Sequence, residues 1–362
     1  MYPDRLARVR ARMKAAGVDL LGLPPGDDLL YLLGYTPHAD ERPCYLFLTA
    51  DDAVFLVPEL NAGQARRHVD VPFLTYTDAE GPAAALRSAQ ARLGAAARIS
   101  VGDTMRADCL LLLQERWRGS AFVPGSEVMA VVRMVKTAEE IATMRRAAAV
   151  ADVAVDAAWA ACRPGVTEME VARAVAEAFA AQGAAQLGPA IIGGGPNSAY
   201  PHHHSSTRPL VAGEPVLADM GGRLDGYMSD ITRMAYLGEP SARYREIHAI
   251  VEQAVRAGID AVRPGAPLAA VDRAARGVIE AAGYGKQFTH RVGHGIGITG
   301  HEPPSVTHLN ESPMQEGMVF SVEPGIYLEG EFGVRLEEIV VVTASGGERL
   351  SGLPREVRVL EP

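Results

Sequence analysis

The tripeptide Arg163-Pro164-Gly165 returns as Arg263-Pro264-Gly265, one hundred positions later. At the same offset Val171 pairs with Val271, Arg173 with Arg273, Ala174 with Ala274 and Gly183 with Gly283. Proline fixes φ and glycine opens the left-handed region, so these matches preserve backbone geometry and not only composition. Each unit reads as helix, tight Pro-Gly turn, helix and Gly stop. A Gly- and His-rich stretch follows each one: Gly193-Gly194-Gly195 through Pro201-His202-His203-His204, then His290 through Gly293-His294-Gly295-Ile296-Gly297. Each half closes with two strand-like runs about a turn. In the first half these are residues 215–220 and 227–236, with Asp225-Gly226 as the hairpin signal. In the second they are residues 318–327 and 334–342, with Gly330 and Gly333 between them. Such a duplication predicts a pseudo-twofold domain with a site where its halves meet.

The sequence ahead of the duplication alternates helix and strand signals. Residues 6–16 carry amphipathic spacing and Gly17 stops them. Residues 44–48 and 54–57 read as strands, residues 83–93 and 110–117 as helices, and residues 99–101 as a buried strand. At Arg133-Met134-Val135-Lys136-Thr137 the pattern changes: Thr137, with Glu140 three residues on, forms a capping box for a long helix. The expected division is an N-terminal α/β domain, residues 1–128, and a second domain, residues 129–362. A chain of 362 residues is long for one core, which supports two.

A formal net charge of −9 argues against nucleic acid as a partner, because phosphate binding needs clustered cations. No apolar run reaches membrane-spanning length, and Met1-Tyr2-Pro3-Asp4-Arg5 leads into no apolar segment of a signal peptide. Cys44, Cys109 and Cys162 are odd in number and far apart, which suits inert thiols in a reducing compartment. The expectation is a cytoplasmic protein.

Each predicted hairpin carries two carboxylates at related places: Asp219 and Asp230 in the first, Glu323 and Glu337 in the second. Asp219 and Glu323 end apolar runs, where an unpartnered charge is expensive. Any one of them could pair with Arg223, Arg233 or Arg335; four converging would repel. A pair of divalent cations resolves that repulsion, with His294 adding an imidazole. The glycines around His294 let backbone pack close to such a site. His203 and His204 read as idle surface histidines.

The run Asp219-Met220-Gly221-Gly222-Arg223-Leu224-Asp225-Gly226-Tyr227-Met228-Ser229-Asp230-Ile231-Thr232-Arg233 resembles the metal-binding hairpin of the creatinase/aminopeptidase P/prolidase peptidases. Gly293-His294-Gly295-Ile296-Gly297, Val322-Glu323-Pro324-Gly325-Ile326-Tyr327 and Gly333-Val334-Arg335-Leu336-Glu337 resemble that family's remaining motifs, in its order. The resemblance implies a creatinase-like α/β domain followed by a pita-bread α+β catalytic domain. It implies a metallopeptidase with two divalent ions on Asp219, Asp230, His294, Glu323 and Glu337. Asp230 and Glu337 would bridge the ions. Oxygen-rich ligation favours Mn²⁺, with Co²⁺ or Zn²⁺ compatible. His202 and His301 would handle the scissile bond, Glu323 would shuttle the proton, and Tyr227 and Arg335 would contact substrate. A homodimer and proline-containing dipeptide or short-peptide substrates are further implications.

One position departs from the family. Prolidases carry an Arg after the second active-site His, in a His-Glu-x-Pro-Arg pattern, to hold a dipeptide carboxylate. Here His301-Glu302-Pro303-Pro304-Ser305 puts Ser305 there, and a hydroxyl makes no charged bidentate clamp. The loop at Asp40, Glu41 and Arg42 offers a replacement, with Arg42 on the carboxylate and Asp40 on the amine. The leading expectation is an Xaa-Pro dipeptidase. The alternatives are an aminopeptidase P acting on longer peptides and a non-catalytic binding module on the same fold. A methionine aminopeptidase typically lacks the N-terminal domain, and creatinase chemistry needs no metal ligands.

Overall fold

The computed structural model describes residues 2–186 and 188–362. The chain divides into two compact units, one ending at Arg133 and the other beginning at Met134. In the first unit α1 (Pro3–Ala16) ends at Gly17, whose φ of 64° provides the left-handed cap the sequence predicts. There follow β1 (Leu20–Leu23), α2 (Asp27–Leu33), β2 (Tyr45–Leu48), β3 (Ala53–Pro58), α3 (Glu59–Ala65), β4 (Phe73–Tyr76), α4 (Ala83–Leu93), β5 (Arg98–Val101), α5 (Ala107–Arg116), β6 (Ala121–Pro124) and α6 (Met129–Met134). The strands form one mixed sheet in the order β4-β3-β2-β1-β5-β6. β2 and β3 are buried throughout, and Tyr45, Phe47, Ile99, Leu113 and Trp117 share one core.

The second unit is the duplication. Its first half contains α7 (Ala138–Ala161), α8 (Glu168–Ala181), β7 (Ala185–Gln186), β8 (Ile191–Gly194), β9 (Pro215–Met220), β10 (Gly222–Leu224), β11 (Tyr227–Met228) and β12 (Ile231–Leu237). Its second half contains α9 (Ala242–Asp260), α10 (Ala269–Ala281), β13 (Gly293–Gly295), β14 (Glu302–Val306), β15 (Val319–Val322), β16 (Gly325–Leu328), β17 (Phe332–Arg335), β18 (Glu338–Thr343), β19 (Gly346–Arg349) and β20 (Arg358–Leu360). Thr137 and Glu140 close the expected capping box on α7, and Thr167 and Glu170 close another on α8. The repeated turns share a conformation as well as a sequence. Gly165 and Gly265 have φ of 86° and 82°, and Gly183 and Gly283 have 71° and 88°.

Each half packs its helix pair on a sheet. The orders are β20-β12-β9-β8 and β14-β13-β15-β18-β19. Phe179, Val171, Val175 and Ile192 fill the first core; Tyr244, Val251, Ile279 and Phe320 fill the second. Each such side chain contributes about 1.5–3 kcal/mol on full burial. β17 packs against β9 and β12, bringing the halves together.

The predicted long strands are broken. The Asp225-Gly226 turn is real, with φ of 49° and 87°, but it joins β10 to β11. The core pairing is β9 with β12, Asp219 opposite Thr232. The second half breaks likewise after Val322 and after Arg335. Asp230, Glu323 and Glu337 lie in these three interruptions, where backbone leaves the ladder and can aim a side chain.

Candidate functional site

Asp219, Asp230, His294, Glu323 and Glu337 converge on one cavity of about 750 Å³, together with His202, His301 and Arg335. Ligand atoms of Asp219, Asp230 and Glu337 all lie within 4.8 Å of one another. So do those of His294, Glu323 and Glu337, and those of Asp230, His294 and His301. His294 Nε2 is 3.3 Å from Glu323 Oε1 and 4.0 Å from Asp230 Oδ2.

Neighbouring groups hold these side chains in place. Ser321 Oγ donates to Glu323 Oε1 (3.0 Å) and accepts from the His294 amide (3.0 Å). Thr232 Oγ1 donates to Glu337 Oε2 (2.9 Å), and the Glu337 amide donates to the Thr232 carbonyl (3.2 Å). Arg233 is buried, donates to Glu338 Oε1 (2.8 Å) and the Glu337 carbonyl (2.6 Å), and so ties β12 to β18 beside the ligands. A Cβ on Gly293 would collide with the Ser321 carbonyl, and one on Gly295 with the Pro303 carbonyl, which explains the glycines flanking His294.

The electrostatics are unbalanced without cations. Burial raises Asp230 first, the Asp219 charge adds to it, and the group is pushed up to about 8. Burial, then Asp230, Glu323 and Asp219, push Glu337 well above the usual carboxylate range. Burial opposes the Glu323 anion too, but its His294 hydrogen bond and charge, with Arg335 and His290, outweigh that and hold it down to about 2. His301 is pushed down to about 4, by desolvation first and by His294 second. Its ring lies against His294 with centroids 3.7 Å apart. Glu337 Oε1 is buried and has no hydrogen-bond partner among the described residues. An orphaned carboxylate oxygen, three further carboxylates and an imidazole form a donor set that fits divalent cations with oxygen preference.

Arg335 answers one of the four charges. Its Nη2 donates to Asp219 Oδ2 (2.5 Å), its Nη1 to the Tyr327 hydroxyl (3.0 Å) and its Nε to Thr232 Oγ1 (3.2 Å). Arg223 instead donates to the Ile298 carbonyl. The Tyr227 hydroxyl donates to Glu140 Oε1 at the start of α7 (2.5 Å). Asp40 and Arg42 belong to the first unit. There Arg42 donates to Asp40 Oδ2 (2.9 Å) and Asp78 Oδ1 (2.8 Å), and Glu41 Oε1 is 3.0 Å away.

Several residues gain a part in the site that their sequence positions do not announce. His203 is no idle surface histidine: its Nε2 is 2.8 Å from buried Glu168. Arg291 lines the cavity and donates to Ser305 Oγ (3.2 Å), placing a cation beside the position where the family pattern has an arginine. His290 lines it too, its Nε2 2.9 Å from the Tyr327 hydroxyl. Ser321 and Thr232 carry a faint signal, as hydroxyls inside apolar strands close to a ligand.

Comparisons with known proteins identify the family. A model described as Metallopeptidase family M24 matches residues 142–344, and one described as Creatinase/Prolidase N-terminal domain matches residues 5–135. The probable dipeptidase PepE of Mycobacterium tuberculosis is 36% identical over 99% of this chain and 97% of its own. The Xaa-Pro dipeptidase of Pyrococcus furiosus is 31% identical over 98% of this chain and 99% of its own. A solved recombinant prolidase from Thermococcus sibiricus superposes with a TM-score of 0.95 at 31% identity, over 99% of both chains. The protein belongs to metallopeptidase family M24 and carries the family's Creatinase/Prolidase N-terminal domain.

Proposed function

We propose that this metallopeptidase hydrolyses the Xaa-Pro bond of dipeptides, using two divalent ions, with Mn²⁺ preferred. The observation that carries the reading is the convergence of four carboxylates and an imidazole in a cavity of small-substrate size. Its support among relatives is that homologues of near-equal length are named dipeptidase or Xaa-Pro dipeptidase. Asp219, Asp230, His294, Glu323 and Glu337 would hold the ions, with Asp230 and Glu337 shared between them. Bound divalent ions supply an acidified water and polarise the scissile carbonyl.

The side chains direct that chemistry. Glu323 takes the proton of the attacking water and passes it to the proline nitrogen as the bond breaks. His301 donates a hydrogen bond to the developing oxyanion, a role that suits a neutral imidazole. His202, which lines the same cavity, steadies the substrate near the scissile bond. Arg335 orients Asp219, whereas Tyr227, expected to contact substrate, is buried outside the cavity lining with its hydroxyl on Glu140. Arg291 faces the dipeptide carboxylate from the cavity wall. A role for Asp40 and Arg42 in restricting chain length stays part of the proposal, as do a cytoplasmic location and a homodimer. The three cysteines are free and buried, which is in keeping with a reducing compartment.

The test compares Ala-Pro with Ala-Pro-Ala on the Mn²⁺-loaded protein, alongside metal content by elemental analysis. Two ions per chain and turnover of the dipeptide alone are expected. Equal turnover of both peptides favours aminopeptidase P, the reading that Ser305 keeps in play by removing the usual clamp. A metal-free, fully active Asp230→Ala or Glu337→Ala variant would refute the ligand assignment.

A further inference from the structure

The structure assigns Glu168, the first residue of α8, as a positioning residue that sets the cavity wall carrying His202. This rests on the reading of His202 as a substrate-handling residue. Glu168 is fully buried at 0% exposure, and both of its oxygens are occupied. Oε1 accepts from the Gly194 amide (2.9 Å) and from Asn197 Nδ2 (2.8 Å). Oε2 accepts from His203 Nε2 (2.8 Å), the Ser206 amide (2.9 Å) and Ser206 Oγ (2.7 Å). The partners therefore bracket the segment 194–206 from both ends.

Within that segment Tyr200, Pro201 and His202 line the cavity. The His203 amide donates to the Tyr200 carbonyl (3.0 Å), closing a turn about Pro201 and His202. His202 is exposed, so the backbone on either side has to fix its imidazole, and that backbone is fastened to Glu168. The carboxylate also sits in the first turn of α8, where backbone N–H groups favour an anion. Burial works against its charge, but the hydrogen bonds from Gly194, His203, Ser206 and Asn197 outweigh it and hold the carboxyl below its usual range.

The second half repeats the device with different residues. Asp272 on α10 is also fully buried. Its Oδ2 accepts from the Val292 amide (3.0 Å), and its Oδ1 accepts from Arg276 Nε (2.7 Å). Arg276 in turn donates to the carbonyls of Phe288 (3.1 Å) and His290 (2.8 Å). In both halves a buried acid on the second helix pins the stretch that carries a cavity histidine. At the offset of one hundred Glu168 matches Leu268 and Asp272 matches Ala172, so the two acids reach a similar arrangement from positions about one helical turn apart.

The experiment uses the full-length protein as wild type, Glu168→Gln, His202→Ala, the double variant, His203→Ala and His203→Gln. Each is measured by hydrogen exchange over 194–206 and by Ala-Pro kinetics at saturating Mn²⁺. Glu168→Gln is expected to raise exchange in that segment, leave β9 and β12 protected, and hold Mn²⁺ affinity within about threefold. Its kcat/KM falls about 10–100-fold, the range for displacing a supporting group near reacting atoms. On the His202→Ala background it adds nothing further, because it acts through His202. His203→Ala moves in the same direction, and His203→Gln, which keeps a donor, recovers most of the loss. Unchanged exchange over 194–206, or losses that multiply in the double variant, would overturn the assignment. Should wild type leave Ala-Pro intact, the peptidase reading falls and the exchange data decide the role of Glu168. Should Glu168→Gln fail to fold, the two His203 variants carry the same comparison.

Discussion

Replacing Thr232 by Val removes one hydroxyl from the support of the proposed metal centre and little else. Thr232 is completely buried on β12, opposite Asp219. Its Oγ1 donates to Glu337 Oε2 at 2.9 Å and accepts from Arg335 Nε at 3.2 Å. Valine keeps the branched shape and the strand preference but cannot donate. Glu337 Oε1 has no partner among the described residues, so the substitution leaves the whole carboxyl without a side-chain donor there. Without metal, burial and the neighbouring carboxylates push Glu337 well up, which favours its neutral form and softens the loss. A metal-bound Glu337 must be an anion, so the deletion falls mainly on the loaded state. A hydrogen bond to a charged group contributes about 1.5–3 kcal/mol, equivalent to about 10–150-fold in affinity. Calorimetric titration of the metal-free wild type and Thr232→Val with Mn²⁺ measures it directly, with melting curves of both metal-free forms as the control. A dissociation constant within threefold of wild type, on a folded variant, would refute the reasoning.

Three further outcomes are expected. His248 is buried with Nε2 unpartnered among the described residues, and burial pushes it down to about 4 against the pull of Glu252 and Glu356. Its folded pKa lies below the ordinary one, so the stability it allows above about 6.5 is lost as pH falls toward 4, by about 2 kcal/mol at pH 5. His248→Phe should narrow the gap between melting temperatures at pH 7.5 and pH 5; an unchanged gap counts against it. Arg233→Met strips donors from Glu338 and from the Glu337, Leu353 and Pro354 carbonyls, and should destabilise by about 3–5 kcal/mol in urea unfolding. Loss of less than about 1 kcal/mol, within the range of a surface pair, would contradict the clamp. Arg291→Ala should lower kcat/KM for Ala-Pro about tenfold or more and leave the amidated dipeptide unaffected. Arg42→Ala should stay within threefold, since Arg42 already holds Asp40 and Asp78; the reverse pattern transfers the carboxylate to Arg42.

Backbone-determined features are legible in the residues. Gly17, the capping box at Thr137 and the Pro-Gly turns of the two halves act through local geometry, and each lies where the pattern puts it. The strand ends are less legible. Residues 318–327 read as one apolar run because valine, phenylalanine and isoleucine suit a strand wherever it is paired. The break after Val322 comes from tertiary structure: β15 pairs with β18, whereas β16 leaves to pair with β17. The same holds at Ser229-Asp230 and at Leu336-Glu337. Support by Thr232, Ser321, Glu168 and Arg233 is hidden for another reason, since most of their partners lie far away in sequence and no local spacing encodes them. His203 shows the error that follows: beside two other histidines it reads as surface, and its contact with Glu168 spans a whole helix-to-loop return.

Salt bridge and metal centre compete in the sequence as explanations for the carboxylates, and the geometry leaves room for both. Arg335 ends the strand just before the break that carries Glu337, and its guanidinium reaches back across the halves to Asp219. One monovalent cation offsets one of four acids. It leaves Asp230 and Glu337 raised by burial and by neighbouring carboxylates, and it leaves Glu337 Oε1 without a donor among the described residues. The same guanidinium steers its Nε to Thr232, whose hydroxyl then points its hydrogen at Glu337. The ion pair therefore orients one carboxylate directly and a second through a relay. What remains is a concentration of negative charge facing the cavity, in the interior where screening by water and salt is weakest. Divalent cations would answer that charge, and Arg335 would orient the carboxylate oxygens that hold them.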